Sequence, residues 1–313
     1  MMRKQVWLIG LLGLLLCRPA LAQDEIYSAN DVRDDRPARY LFTNATIVVD
    51  DQTTQQNASL LVENGVIKAV GSNVSAPAGT RTVDLQGKYI YPSFIDLYSH
   101  YGLSEVPKPS GFNWNAPEKL GPQTAGPFSQ NDAIKSQYNA ADDFTLNDEQ
   151  AQVYRELGFG AVLTNKPDGI ARGSSALVSL TDVTANEALI MSQAAAHYSF
   201  EKGSSQQYYP ISKMGFIALL RQTYLDANWY QSEKNSDYVD QSLEAWIDLQ
   251  NLPQIFDAPG WLQILRADQL GDEFGHQYIV RGSGNEYQRL AEVKATNAPL
   301  IVPINFPDAY DVD

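Results

Sequence analysis

Cysteine is almost missing from this 313-residue chain, with Cys17 the only one. It falls inside a stretch where Arg3 and Lys4 precede an apolar run from Val6 to Leu16 and Ala20-Leu21-Ala22 supplies small residues for cleavage. That order predicts a signal peptide over residues 1–22. With the leader removed no thiol remains, which excludes disulfides and cysteine metal ligands. Long apolar runs are missing too: Val6–Leu16 is far short of the ~20 residues that cross a bilayer, and no later segment is long enough. The expected product is soluble and exported, either periplasmic or secreted. Basic residues are the third scarcity. Removing Arg3, Lys4 and Arg18 takes the 23 basic residues to 20, against 37 acidic ones. A surface this acidic excludes nucleic acid and anionic membrane as partners, since both present phosphates. Histidine occurs three times, at positions 100, 197 and 276.

What is present reads as β structure first and α/β structure afterwards. A polar, charged lead over 23–39 gives way at Tyr40 to short β-rich runs, LFTNATIVVD, ASLLVE and VIKAVG, the last two joined by Asn64-Gly65, a strong hairpin signal. Residues 40–90 therefore form a small β domain, and 91–313 a larger α/β region. Within the latter, the texture over 104–146 turns to Pro, Gly, Asn and single aromatics. So long an irregular stretch predicts a loop over the mouth of the fold. Asn147 with Gln150 three residues on is a helix-capping pair, and Gly158 stops that helix. Helices are expected over 212–228 and 236–250, on apolar stripes such as Phe216, Leu220 and Tyr224. GAVLTN, SSALVSL, WLQILRAD, QYIVRGS and APLIVPINF read as strands, with short helices DQLGDEFG and NEYQRLAEVKATN between the later ones. Strands alternating with helices indicate parallel βαβ units. The chain stops just after a strand, and the expectation is a C-terminal truncation.

The segment YPSFIDLYSHYG, residues 91–102, joins the two regions. From Phe94 it reads as a strand with Asp96, Tyr98 and His100 on one face. Together with Gly87, Lys88, Pro92, Phe94 and Ile95, this junction resembles the amidohydrolase superfamily, in particular imidazolonepropionase-like members. There the motif reads Pro-Gly-Phe-Ile-Asp followed by His-x-His. Ser93 stands in place of the glycine and Tyr98 in place of the first histidine. The resemblance implies a (β/α)8 TIM-like barrel, here truncated, with an N-terminal β-sandwich. It also implies metal-dependent hydrolysis of non-peptide C–N bonds in a small-molecule amide or cyclic amide. Zinc or another divalent metal would be held by histidines and an aspartate, a carbamylated lysine often among the ligands, at the C-terminal ends of the strands.

Against that implied ligand set the chain offers His100 as a remnant. His276 precedes its strand and so belongs to the opposite rim, and His197 reads as a structural histidine in a segment that no pattern places. Arg266 stands where the family shows a histidine after its fifth strand, and Arg281 ends the next; a guanidinium repels a metal cation. Lys166 follows a strand but does not match the family's lysine. Asp96, Tyr98, Arg266, Asp268 and Arg281 remain as a candidate pocket for a polar or anionic ligand, with Asp96–Arg266 as an ion pair in the alternative. Three readings stand at this point: a catalytically silent module, with a second amidohydrolase domain downstream as its partner; an active hydrolase with a single-metal or atypical site; and a binding or scaffold module using the aromatic-rich stretch from Phe112 to Phe144.

Overall fold

The computed structural model describes residues 38–108, 117–233 and 238–304. The expected signal peptide, most of the polar lead and part of the 104–146 stretch lie outside the described residues. The chain divides into two compact units at Pro92/Ser93.

The first unit is one five-stranded sheet, where the resemblance implied a two-layer sandwich. Its strands are β1 (Arg39–Val48), β2 (Thr54–Glu63), β3 (Val66–Gly71), β4 (Arg81–Asp84) and β5 (Tyr89–Ile90). They lie in the order β3-β2-β1-β4, with β5 pairing further along β1. Asn64 and Gly65 turn β2 into β3 with φ of 51° and 75°, the left-handed pair that a tight hairpin needs and that asparagine and glycine adopt at least strain. Ala45, Ile47, Ala58 and Leu60 form its core.

The second unit is built on seven strands: β6 (Phe94–Ser99), β7 (Phe159–Thr164), β8 (Ala171–Ser179), β9 (Leu189–Ser199), β10 (Gln254–Asp257), β11 (Ile279–Arg281) and β12 (Leu300–Ile301). Its helices are α1 (Ala140–Asp143), α2 (Asp148–Glu156), α3 (Ala185–Ala188), α4 (Lys213–Ser232), α5 (Gln241–Leu249), α6 (Trp261–Phe274) and α7 (Leu290–Ala295). Each strand lies beside its sequence neighbour, from β6 to β12. All pairs are parallel except those of β8, which runs antiparallel to both β7 and β9. Only residues 165–170 join β7 to β8, too few for the crossover a parallel return requires. The uniform βαβ alternation expected from sequence is broken there.

The sheet curls into a nearly closed barrel. In a flat sheet β6 and β10, four places apart, would be separated by roughly 19 Å, yet the Tyr98 hydroxyl reaches Asp257 at 3.0 Å. Strand residues divide between the two faces with a period of two. Leu163, Ala195 and Ile255 point inward with Leu177, Ile279 and Ile301. Tyr198, Phe256 and Val280 point outward, beneath Leu220 and Tyr224 of α4, Trp246 of α5 and Ile264 and Leu270 of α6.

Helix signals survive in detail: Asn147 accepts a hydrogen bond from the Gln150 N–H at 3.0 Å at the start of α2. One strand does not survive. WLQILRAD is the first part of α6, and the strand is the four-residue QIFD just before it. Trp, Leu and Ile suit a strand by type, but the buried positions of α6, Ile264, Ala267, Leu270 and Gly271, follow a helical stripe that carries them onto the sheet. The 104–146 stretch is less of a free loop than its composition suggests. Ile134 and Asn139 bridge to β8, and Ala133, Ile134, Ala140 and Phe144 are buried. No helix among the described residues is long and apolar enough to cross a membrane.

Candidate functional site

The barrel interior changes character toward the C-terminal ends of its parallel strands. Two residues beyond the apolar positions Ala195, Ile255 and Ile279 come His197, Asp257 and Arg281, on the same inward face. Tyr98 joins them from β6. Arg172 arrives from β8, whose N-terminal end lies on this rim because the strand runs backwards.

Asp257 is the centre. Its Oδ2 accepts from the Tyr98 hydroxyl at 3.0 Å and from Arg172 Nη1 at 3.0 Å, and its Oδ1 accepts from Arg281 Nη1 at 3.1 Å. Arg172 Nη1 also donates to the Tyr98 oxygen at 2.7 Å, and its Nε–H to the Gly169 carbonyl at 3.2 Å. The Arg281 guanidinium lies over the Tyr98 ring, 4.6 Å from its centroid. Only 2% of the Arg172 side chain is exposed and 14% of that of Asp257, so the charges compensate one another largely out of water. Burial alone would raise the Asp257 carboxyl, but Arg172 and then Arg281 overcome this and hold it below the usual carboxylate range. Burial, with the carboxylate of Asp257 opposing Arg172, pushes the Tyr98 phenol well above its ordinary value.

Two imidazoles flank Tyr98. His100 makes an edge contact with its ring, centroids 5.5 Å apart, and bonds through Nδ1 to the Asn165 carbonyl at 2.7 Å. It opens on a cleft of about 610 Å³ lined by Tyr98, Tyr101, Tyr154 and Leu157. His197, centroid 6.0 Å from that of Tyr98, is fully buried with neither ring nitrogen hydrogen-bonded. Burial first, and then the Arg172 charge, hold it down to about 3, so it is neutral at physiological pH.

Gly173 sets the geometry of Arg172. Its φ of 74° accompanies a register shift in the β8–β9 pairing, which lets Arg172 and Leu177, an odd number of residues apart, both face inward. A Cβ at Gly173 would collide with the Tyr138 carbonyl oxygen. Gly173→Ala is therefore expected to cost at least ~2 kcal/mol, read as a lower urea midpoint; an unchanged midpoint would show that the bulge tolerates a side chain.

The residues proposed from sequence are only partly assembled. Tyr98, His100 and Arg281 meet at the mouth. Asp96 turns aside, its Oδ1 accepting from the Tyr98 N–H at 3.0 Å. Arg266 and Asp268 lie on α6, on a helix and not at a strand end, and no Asp96–Arg266 ion pair forms among the described residues. Burial and the neighbouring Asp272 raise the Asp268 carboxyl. His276 lies between α6 and β11, stacked on Tyr224. Lys166 pairs with Asp143 at 2.9 Å. Sequence reasoning missed Asp257, Arg172 and the inward placement of His197. The signal for Asp257 was the short run QIFD between Pro253 and the turn Ala-Pro-Gly; nothing in the sequence marks the partners of Arg172.

No family model matches the chain. A crystal structure of an amidohydrolase from Thermotoga maritima superposes with a TM-score of 0.66 at 22% identity, covering 85% of this chain and 70% of that one. The chain shares the fold of that amidohydrolase. Short stretches also match curated sequences. A dihydropyrimidinase from Dictyostelium discoideum is 35% identical over 72 residues, 23% of this chain. A dihydroorotase from Geobacter metallireducens is 35% identical over 60 residues, 19% of this chain. In both cases the match spans 14% of the relative's own length.

The divalent metal implied by an amidohydrolase barrel does not fit the donors at this mouth. Among the described residues no group of three or more His, Cys, Asp or Glu is placed to hold one. Both oxygens of Asp257 are committed to cations and a phenol, and two fixed guanidinium charges oppose a third cation.

Proposed function

We propose that the chain is an exported member of the amidohydrolase superfamily whose barrel mouth, as it stands, is catalytically silent toward the C–N bonds of amides and cyclic amides that such enzymes hydrolyse. The observation carrying this reading is the double engagement of Asp257 by Arg172 and Arg281. Hydrolysis of an amide needs an activated water, and activation needs a Lewis acid or a base whose proton affinity suits neutral pH. Asp257 is too weak a base, because two guanidiniums stabilise its charged form. Tyr98 keeps its proton, and His197 is sealed from solvent. Among the described residues of the mouth, His100 bonds through Nδ1 only and faces the open cleft, and the acidic and phenolic groups beside it are already engaged by guanidiniums.

The test uses the mature protein recovered from the medium or periplasm, its N-terminus expected at Gln23. Metal content after dialysis should be well below one equivalent, with no turnover of dihydropyrimidines or dihydroorotate. One equivalent of zinc, with turnover abolished in His100→Ala, would overturn the proposal in favour of a working single-metal hydrolase.

A further inference from the structure

We infer that the Arg172 guanidinium occupies the position of a cation in the mouth of this barrel, standing against Asp257 and Tyr98 where a divalent ion would otherwise have to sit. The inference rests on the metal-free reading above and explains what that reading leaves over, which is His197.

Four groups with lone pairs line the mouth from three strands: Asp257 from β10, His197 from β9, and Tyr98 on β6 with His100 just beyond its end. Arg172 enters from the one reversed strand, and Nη1 lies 3.0 Å from Asp257 Oδ2 and 2.7 Å from the Tyr98 oxygen. It supplies the positive charge that the carboxylate and the phenol oxygen face. What it does not supply is a partner for His197. Both Nη1 hydrogens go to Asp257 and Tyr98 and the Nε–H goes to Gly169, while both ring nitrogens of His197 are left without a partner. An imidazole kept only for packing is out of place beside Asp257 and Arg172, because burying it unbonded is unfavourable. Its nitrogens suit a metal ion, which accepts an imidazole lone pair. A guanidinium offers only N–H donors, carries a fixed charge and is never deprotonated; it satisfies the oxygens, excludes the divalent ion and strands the imidazole.

The experiment compares the wild type with Arg172→Lys, Arg172→Gln and the double variant Tyr98→His/Arg172→Gln, each titrated with Co²⁺ in the visible region and scanned thermally with and without Zn²⁺. Wild type and Arg172→Lys are expected to show no cobalt band and no zinc shift. Arg172→Gln should take up one Co²⁺, and the double variant should bind it at least ~10-fold more tightly, since an imidazole replaces a phenol. Zinc should raise the Tm of both, or refold them if they are unfolded without it. Adding His197→Ala to the double variant should abolish the cobalt band; an unchanged band would show that the ion sits elsewhere and overturn the inference. Arg172→Gln and the double variant that zinc neither stabilises nor refolds, beside a metal-free wild type, would overturn the inference and leave the proposed function standing. Equal cobalt binding by wild type and variants would overturn both.

Discussion

Asp257→Ala is expected to destabilise the second unit by about 3–5 kcal/mol, because it leaves a buried guanidinium without its counter-charge. At the size of this unit that corresponds to a fall in Tm of roughly 6–20 °C. The penalty falls mainly on Arg172, which is 2% exposed and has no route to water. Arg281 is about one-third exposed and rests on the Tyr98 ring, so it can turn outward. The Tyr98 hydroxyl loses its acceptor at the same time. Two further variants separate charge from packing. Arg281→Met should cost much less than Asp257→Ala. Asp257→Ala/Arg172→Met should recover a large part of the loss, since removing both members of a buried pair is far milder than removing one. Urea denaturation of the four proteins measures this, and a loss below ~1 kcal/mol for Asp257→Ala would mean that water reaches Arg172.

Acid is expected to weaken the fold before carboxylates begin to titrate. His197 ordinarily titrates near 6.5 in an unfolded chain but is held down to about 3 in the barrel. Between these values the unfolded state binds a proton that the folded state refuses. Stability is therefore full above pH 6.5 and declines as the pH falls toward 3. At 1.36 kcal/mol per pH unit, the loss between pH 7 and pH 4.5 is about 2–3 kcal/mol from this residue. His276, also lowered by burial, adds to the slope in the same range. Asp257, whose carboxyl is held down, adds its own loss only below the ordinary carboxylate range. Urea midpoints of wild type, His197→Leu and His276→Gln at the two pH values distinguish these sources. His197→Leu should be at least as stable as wild type at pH 7, because an unbonded buried imidazole is replaced by a hydrocarbon, and its pH slope should be much flatter. An unchanged slope in His197→Leu would place the acid sensitivity elsewhere.

Both results depend on residues that were not legible together. Local chemistry was legible: the Asn64-Gly65 hairpin, the Asn147 cap, the helices on apolar stripes and the strand carrying Tyr98 toward His100 all follow from short-range periodicity and turn preference. The α/β class followed from the alternation of such elements. Two errors were of one kind. Side-chain type favours extended structure in WLQILRAD over the shorter QIFD; what decides is the outer face of the sheet, which needs Ile264, Ala267 and Leu270 on one side of a helix. The reversed β8 was hidden because strand direction is set by the length of a connection and not by the strand's own residues.

The sequence by itself determined the Asn64-Gly65 hairpin, the Asn147 cap, the strand that carries Tyr98 and the excess of acidic over basic residues. The tertiary structure alone decided that Asp257, Arg172 and Arg281, separated by up to 109 positions in the sequence, neutralise one another at the barrel mouth. Charge compensation in a buried site depends on distances of about 3 Å, and only barrel curvature and the Gly173 bulge bring those three side chains within that reach.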